Sequence, residues 1–287
     1  MVKSEHLLVR PRLTDGGFGE TISFTPDKVG WDHLGFRSLK MRTGESIASQ
    51  TKNTEIAIVL LGGKCSVTSS AGNWPSFGRR SNVFDGLAHT LYLPIDTEYV
   101  LKAETDADVA ICSCPAEKKF PARLITPDQV RVDTRGGGNA TRQICSIITP
   151  EDPADRLIII EVYTPAGNWS SFPPHKHDVH APPAEVDLEE IYYYRIDRPE
   201  GYAIQRVYSY DGKRDETLTV RSGELVLIPD GYHPVVAAHG YNVYYLNALS
   251  GSARSLAASL DPNYSWVSST WKETDPRVPF VSEPAAT

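Results

Sequence analysis

Eight short apolar runs, each closed off by turn residues, constrain this chain more than any other feature. They are EIAIVLL (55–61), HTLYLP (89–94), DVAICSC (108–114), RLIIIEVYT (156–164), EIYYYRI (190–196), YAIQRVYSY (202–210), ELVLIP (224–229) and YNVYYLN (241–247). They are 6–9 residues long and rich in β-branched residues and tyrosine, with Gly, Pro, Asp and Asn between them. Runs of this length and make-up fit strands, and their number and spacing predict a sandwich or barrel. The 21 glycines and 21 prolines supply the turns. The best short candidate for a helix is ARSLAASL, residues 253–260. The expected class is all-β.

The runs fall into two sets. Each half holds a strand pair, a turn with Gly and a strand ending in Pro, LYLP at 91–94 and VLIP at 226–229. This pattern predicts an internal duplication: a first barrel over 1–118 and a second over 139–287. The stretch 119–138 (KFPARLITPDQVRVDTRGGG) carries Pro, charge and a glycine triplet and reads as a linker with one strand. RGGG (135–138) lacks the Lys-Ser/Thr and following helix of a phosphate-binding loop. The aromatic, polar tail after 262 reads as an irregular arm.

Charge excludes some partners. The balance is 29 Lys+Arg against 36 Asp+Glu, net −7, with no basic block longer than two residues, so nucleic acid is not expected. No run approaches 18 apolar residues, so no membrane span is expected. The first residues hold no apolar signal core, which makes the cytoplasm the expected compartment. Four cysteines without a C-x-x-C are too few for a disulfide framework.

Histidines carry the chemistry. Five of the eight lie between residues 175 and 239. In SFPPHKHD (171–178), a strand would point His175 and His177 to one face and Lys176 to the other. Two converging imidazoles suit a metal ion. LEEIYYYRI then opens on two carboxylates, and alternation puts Glu190, Tyr192 and Tyr194 on one face. SGELVLIPDGYHP follows, with a strand ending at Pro229, a turn at Gly231, and His233.

This order, H-x-H, Glu, then Pro-x-Gly and His, resembles the two motifs of the cupins. Gly167, His175, His177, Glu190 and Gly201 match the first, and Gly223, Pro229, Gly231 and His233 the second. Two departures stand out. Twelve residues separate His177 from Glu190, and Tyr232 alone separates Gly231 from His233. GNWSSFPPHKHD, LEEIYYYRI and PDGYHPVVAAHGYNVYYLNALSG together resemble the family of 5-deoxy-glucuronate isomerase and 5-keto-4-deoxyuronate isomerase, over nearly the whole chain.

The resemblance implies a bicupin, two cupin barrels in one chain, and one divalent metal ion (Zn, Mn, Fe or Ni) held by His175, His177, Glu190 and His233. Glu190, opening Glu-Ile-Tyr-Tyr-Tyr, matches the family's metal glutamate better than Glu189. The first half has Glu55 at the start of a strand but no H-x-H before it, so that barrel is expected to be metal-free. The implied activity is the aldose–ketose isomerisation of 5-deoxy-D-glucuronate to 2-deoxy-5-keto-D-gluconate in myo-inositol catabolism, by proton transfer through an enediolate. The implied partners are a small sugar acid and further copies of the chain.

Glu189, Tyr192 and a metal-bound hydroxide are the alternatives for the base. Tyr194, Gln205 and His239 are the candidate substrate contacts, and Asp178 is a candidate for orienting an imidazole. A metal-dependent dioxygenase and a non-catalytic ligand-binding bicupin are the alternative functions.

Overall fold

The computed structural model describes residues 7–282. Strand makes up 46% of it and helix 7%, and every helix among the described residues is a short 3-10 turn. No helix among them is long and apolar enough to cross a membrane. The chain divides into two compact units whose segments interleave.

The first unit contains residues 11–130 and 147–159. Its larger sheet runs in the order Arg123–Ile125, Thr90–Leu93, Thr54–Gly62, Ala107–Pro115, Gly35–Met41, Gly19–Phe24. Its smaller sheet runs Ser46–Gln50, Glu98–Ala103, Cys65–Ser69, Gly72–Phe77. Side chains from both sheets form one core, with Ile58, Leu60 and Val109 from the larger and Val67 and Leu101 from the smaller. The strand Glu98–Ala103 alternates exposed and buried residues, as a strand with one wet face must.

Glu55 is fully buried here and has a structural task. Its carboxylate accepts the N–H groups of Asp155 (2.8 Å), Arg156 (2.7 Å) and Leu157 (2.6 Å) and the hydroxyl of Tyr92 (2.7 Å). A buried carboxylate needs such donors, and these leave it no free face for a cation.

The second unit contains residues 7–10, 131–146 and 160–280. Its seven-stranded sheet runs Leu8–Val9, Leu225–Ile228, Leu188–Ile196, Val243–Gly251, Ile158–Thr164, Arg142–Ile148, Arg131–Arg135. Against it lies a four-stranded sheet, Trp169–Ser170, Val235–Ala237, Ala203–Tyr208, Asp215–Val220. The shared core includes Tyr192, Tyr194, Val226 and Tyr245 from one sheet and Val207, Val220 and Val235 from the other. Buried tyrosines keep their hydroxyls satisfied: Tyr244 donates to Glu161 at 2.7 Å and Tyr194 to Gln205 at 2.8 Å.

Two local expectations are corrected. Residues 119–138 hold two strands, Arg123–Ile125 and Arg131–Arg135. The latter is an exposed, polar edge strand, so no apolar run announces it. Residues 253–260 form no helix. Their end, Ser259–Leu260, pairs with His175–Lys176, and Leu256, Ala258 and Leu260 all line one cavity, the period of extended chain.

Candidate metal centre

The strand His175–Lys176 is only two residues long, with His175 opposite Leu260. His177 follows and is fixed from two sides. Its carbonyl accepts the Leu188 N–H at 2.9 Å, and its Nδ1 lies 3.0 Å from the Leu188 carbonyl oxygen. A carbonyl only accepts, so Nδ1 carries the proton and Nε2 keeps its lone pair.

His233 reaches the same state by a different route. Gly231 turns the chain at φ +83°, where a Cβ would lie 2.6 Å from the Tyr208 carbonyl oxygen, so glycine is required. His233 Nδ1 then donates to the Gly231 carbonyl at 2.8 Å, again freeing Nε2 as a lone pair. Glu190 comes from the inner strand Leu188–Ile196, opposite Ile228 on one side and Leu249 on the other.

These groups converge. One Glu190 oxygen, Oε2, lies 2.9 Å from His177 Nε2 and 3.2 Å from His233 Nε2. Ligand atoms of His175, His177 and His233 all lie within 4.8 Å of one another. His177, Glu190 and His233 are buried. His233 Nε2 has no hydrogen-bond partner, its approach to Glu190 lacking hydrogen-bond geometry.

Electrostatics fit a cation. Burial opposes charge on Glu190, but the bond to His177 and the closeness of the His233 imidazole prevail and hold its carboxyl down at about 2. Burial, with the neighbouring imidazoles, pushes His175 down to about 3 and keeps it neutral. Burial also opposes a proton on His177, and the bond to Glu190 overcomes it and raises this imidazole. Lone pair against carboxylate at 2.9 Å requires a shared proton or a cation. Three imidazoles and one carboxylate are a donor set for a divalent transition metal and would leave it a net +1. The residues present fit such an ion.

His175, His177 and Glu190 open onto a cavity of about 510 Å³. Alternate residues of four sheet strands form its wall. In register, Glu190 pairs with Leu249 and Tyr192 with Asn247, and all four face it. Tyr192 bonds Ser171 Oγ at 2.9 Å, and Tyr245 contacts both Ser170 and Ser171. Burial raises both phenols, Tyr192 well above its ordinary range.

The other sequence candidates lie elsewhere. Glu189 occupies the opposite strand face from Leu188, Glu190 and Tyr192, which line the cavity, and is not part of the wall. Tyr194 and Gln205 are fully buried and bond each other outside the wall. Gln205 Nε2 donates to the His233 carbonyl at 3.4 Å, so the pair braces a ligand from behind. His239 is exposed and not in the wall. Asp178 touches no imidazole; it joins the two ligand loops by accepting the Gly231 N–H at 2.9 Å.

Sequence reasoning missed Arg142, Ser171, Tyr245 and Asn247, all in the wall. Alternation along YNVYYLNAL, anchored on Tyr245, could have found the last two.

The chain matches the model of the KduI/IolB family over residues 7–267. It is 41% identical over 261 residues to 5-deoxy-glucuronate isomerase of Geobacillus kaustophilus, covering 91% of this chain and 95% of that one. The crystal structure of an IolB-like protein from Salmonella typhimurium superposes with a TM-score of 0.89 at 37% identity, covering 91% of this chain and 99% of that one. Oxalate decarboxylase of Bacillus subtilis shares the fold alone, with a TM-score of 0.59 at 13% identity, covering 91% of this chain and 80% of that one. The architecture is a bicupin. With its fold, its motif order and its similarity over nine-tenths of its length all in agreement, the chain belongs to the KduI/IolB family.

Proposed function

We propose that this chain is a sugar-acid isomerase converting 5-deoxy-D-glucuronate to 2-deoxy-5-keto-D-gluconate. The observation that carries this reading is the convergence of His175, His177, Glu190 and His233, the first three of them opening onto the cavity, in a chain 41% identical to a 5-deoxy-glucuronate isomerase.

The reaction turns an aldehyde beside a carbinol into a ketone beside a primary alcohol. A proton must leave the carbon next to the aldehyde and return at the aldehyde carbon. A divalent ion held by the four ligands supplies Lewis acidity toward the carbonyl and its neighbouring hydroxyl, an effect worth several kcal/mol. The chain's own residues do the rest. The backbone carbonyls of Leu188 and Gly231 hold two imidazoles in the liganding tautomer.

Of the two sequence candidates for the base, Tyr192 lines the cavity and Glu189 does not. The Tyr192 hydroxyl, bonded to Ser171, is placed to hand a proton between substrate oxygens. A phenol raised by burial acts as donor rather than as free phenolate. Asn247 is held by donating to the Ile191 carbonyl at 2.9 Å, which leaves its side-chain oxygen as an acceptor for a sugar hydroxyl.

The test is incubation of metal-loaded protein with 5-deoxy-D-glucuronate, following the aldehyde proton by NMR. Loss of that signal with growth of the ketone's CH₂OH is the expected result. Consumption of oxygen in place of isomerisation would mark a dioxygenase and overturn the reading.

A further inference from the structure

The cavity wall holds two arginines, Arg135 and Arg142, and one acidic residue, Glu190, which is already engaged by two histidines. The arginines sit directly opposite each other on neighbouring antiparallel strands, Arg131–Arg135 and Arg142–Ile148. Like charges in that position repel, so the pairing costs stability. Among the described residues neither forms a salt bridge.

Arg142 is the more deeply set. Its Nη1 donates to the carbonyls of Phe172 at 2.9 Å and Ala140 at 3.1 Å, which fixes the guanidinium. Its Nε is buried and has no hydrogen-bond partner. Burial, with Arg135 adding, lowers its hold on its proton. A half-buried guanidinium without a carboxylate partner is costly, and the cost is repaid where an anion arrives from outside.

Resting on the sugar-acid isomerase reading, we infer that Arg142, with Arg135 at the cavity mouth, is the subsite that binds the substrate's carboxylate. The planar guanidinium fork suits a carboxylate, and its fixed position would set which end of the sugar acid faces His175 and Glu190. The exposed Arg135 adds attraction from a distance, an effect that salt weakens. The glycines that follow Arg135 serve this geometry. A Cβ on Gly136 would lie 2.0 Å from the Ala140 carbonyl oxygen, so only glycine lets the chain turn back to place the two arginines opposite each other.

The test measures binding by calorimetry on metal-loaded protein. The probes are borohydride-reduced substrate, which keeps the carboxylate but has no aldehyde, and the carboxamide of the same compound. Arg142→Met is expected to weaken the acid roughly 10²-fold, the scale of a charge-assisted bond, and leave the amide unchanged. Arg142→Lys should recover part of the loss, and Arg135→Met should give a smaller loss that vanishes at high salt. A folded, metal-loaded Arg142→Met that binds the acid as wild type does would overturn the assignment. Should Arg142→Met not fold, wild-type affinity for the acid in both Arg142→Lys and Arg135→Met overturns it equally. Wild-type protein that binds the acid tightly yet fails to isomerise the parent aldose would sink the proposed reaction while leaving the anion subsite standing.

Discussion

Asp178 holds Gly231: its Oδ2 accepts the Gly231 N–H at 2.9 Å and ties the loop carrying His177 to the turn carrying His233. The carboxylate is itself steadied by Lys176, which also bonds Glu185 at 2.8 Å. Burial opposes the charge on Asp178, and the bonds from Lys176 and Gly231 prevail, keeping it ionised. One side chain outside the ligand set therefore sets the spacing of two ligands. Asp178→Ala is expected to weaken metal binding by about 10–100-fold, the usual cost of losing such support, with the fold intact. Competition with a chelator checks it, and unchanged affinity would show the loops hold their spacing without this bond.

Metal content gives the next prediction. Purified protein is expected to carry one divalent ion per chain, and His177→Ala none, with its circular-dichroism spectrum retained. The hydrophobic core of the second unit is built largely from other residues, such as Val207, Val226 and Val243, and does not depend on the ligands. Elemental analysis reads the stoichiometry and the metal's identity together. Two ions per chain would contradict the one-site reading.

Glu55 tests the first unit. Glu55→Ala leaves three backbone N–H groups and the Tyr92 hydroxyl without their acceptor. The expected cost is at least about 4 kcal/mol, since each of the four stranded donors costs ~1–3 kcal/mol. Urea denaturation measures it. Metal content of the folded fraction should not change, and a loss of metal would give Glu55 a role beyond stability.

The sequence exposes the liganding side chains because their chemistry is local: H-x-H, Glu at a strand start, and Gly-x-His each announce themselves within a few residues. It exposes the strand Leu188–Ile196 through its apolar run, but hides which tyrosines reach the cavity. Tyr192 lines it and Tyr194 does not, although both lie on the same strand face, because the second sheet covers Tyr194 with Gln205. Arg142 is hidden for a related reason. Its significance lies in its cross-strand partner Arg135 and in the lack of an acid beside it, and neither is a property of nearby sequence. The segment 253–260 misleads because its leucines are four apart, a helical spacing that an extended chain also satisfies at every second residue.

His89 supplies a pH dependence away from the metal. It is 7% exposed, and burial, with Arg79 and Arg80 adding, pushes it down to about 4. In the unfolded chain it takes up its proton near pH 6.5. The unfolded state thus binds the proton first as pH falls, so stability is complete above about pH 6.5 and declines toward pH 4. His89→Gln, which cannot titrate, should flatten that slope and be relatively more stable at pH 4.5, by on the order of 2 kcal/mol. Urea midpoints across pH 4–8 check this. Parallel curves for the two proteins would show that His89 titrates normally.

The last prediction concerns the hydrogen that moves. If the reaction passes through an enediolate, that hydrogen leaves as a proton, rests on a group of the site and returns to the neighbouring carbon. The cavity offers such a group once Tyr192 has handed its own proton to the carbonyl oxygen and can take up the carbon's proton in exchange. Tyr192 and Tyr245 are linked through Ser171, and Ser170 also contacts Tyr245. Linked hydroxyls pass protons, and His175 beside them is only partly buried, so water reaches the cavity. A proton held there exchanges with solvent. Reaction in D₂O should therefore place deuterium on the new CH₂OH carbon at low conversion. A direct hydride shift between the two carbons never meets these hydroxyls and would carry the substrate's own hydrogen across intact. Tyr192→Phe separates the two routes further. It removes the hydroxyl next to Ser171, and on the proton route it should lower kcat by about 10²–10⁴-fold, the scale of general acid–base catalysis, with metal still bound. On the hydride route it should alter KM far more than kcat. Label retained in full from substrate, together with a Tyr192→Phe enzyme of normal kcat, would reject proton transfer.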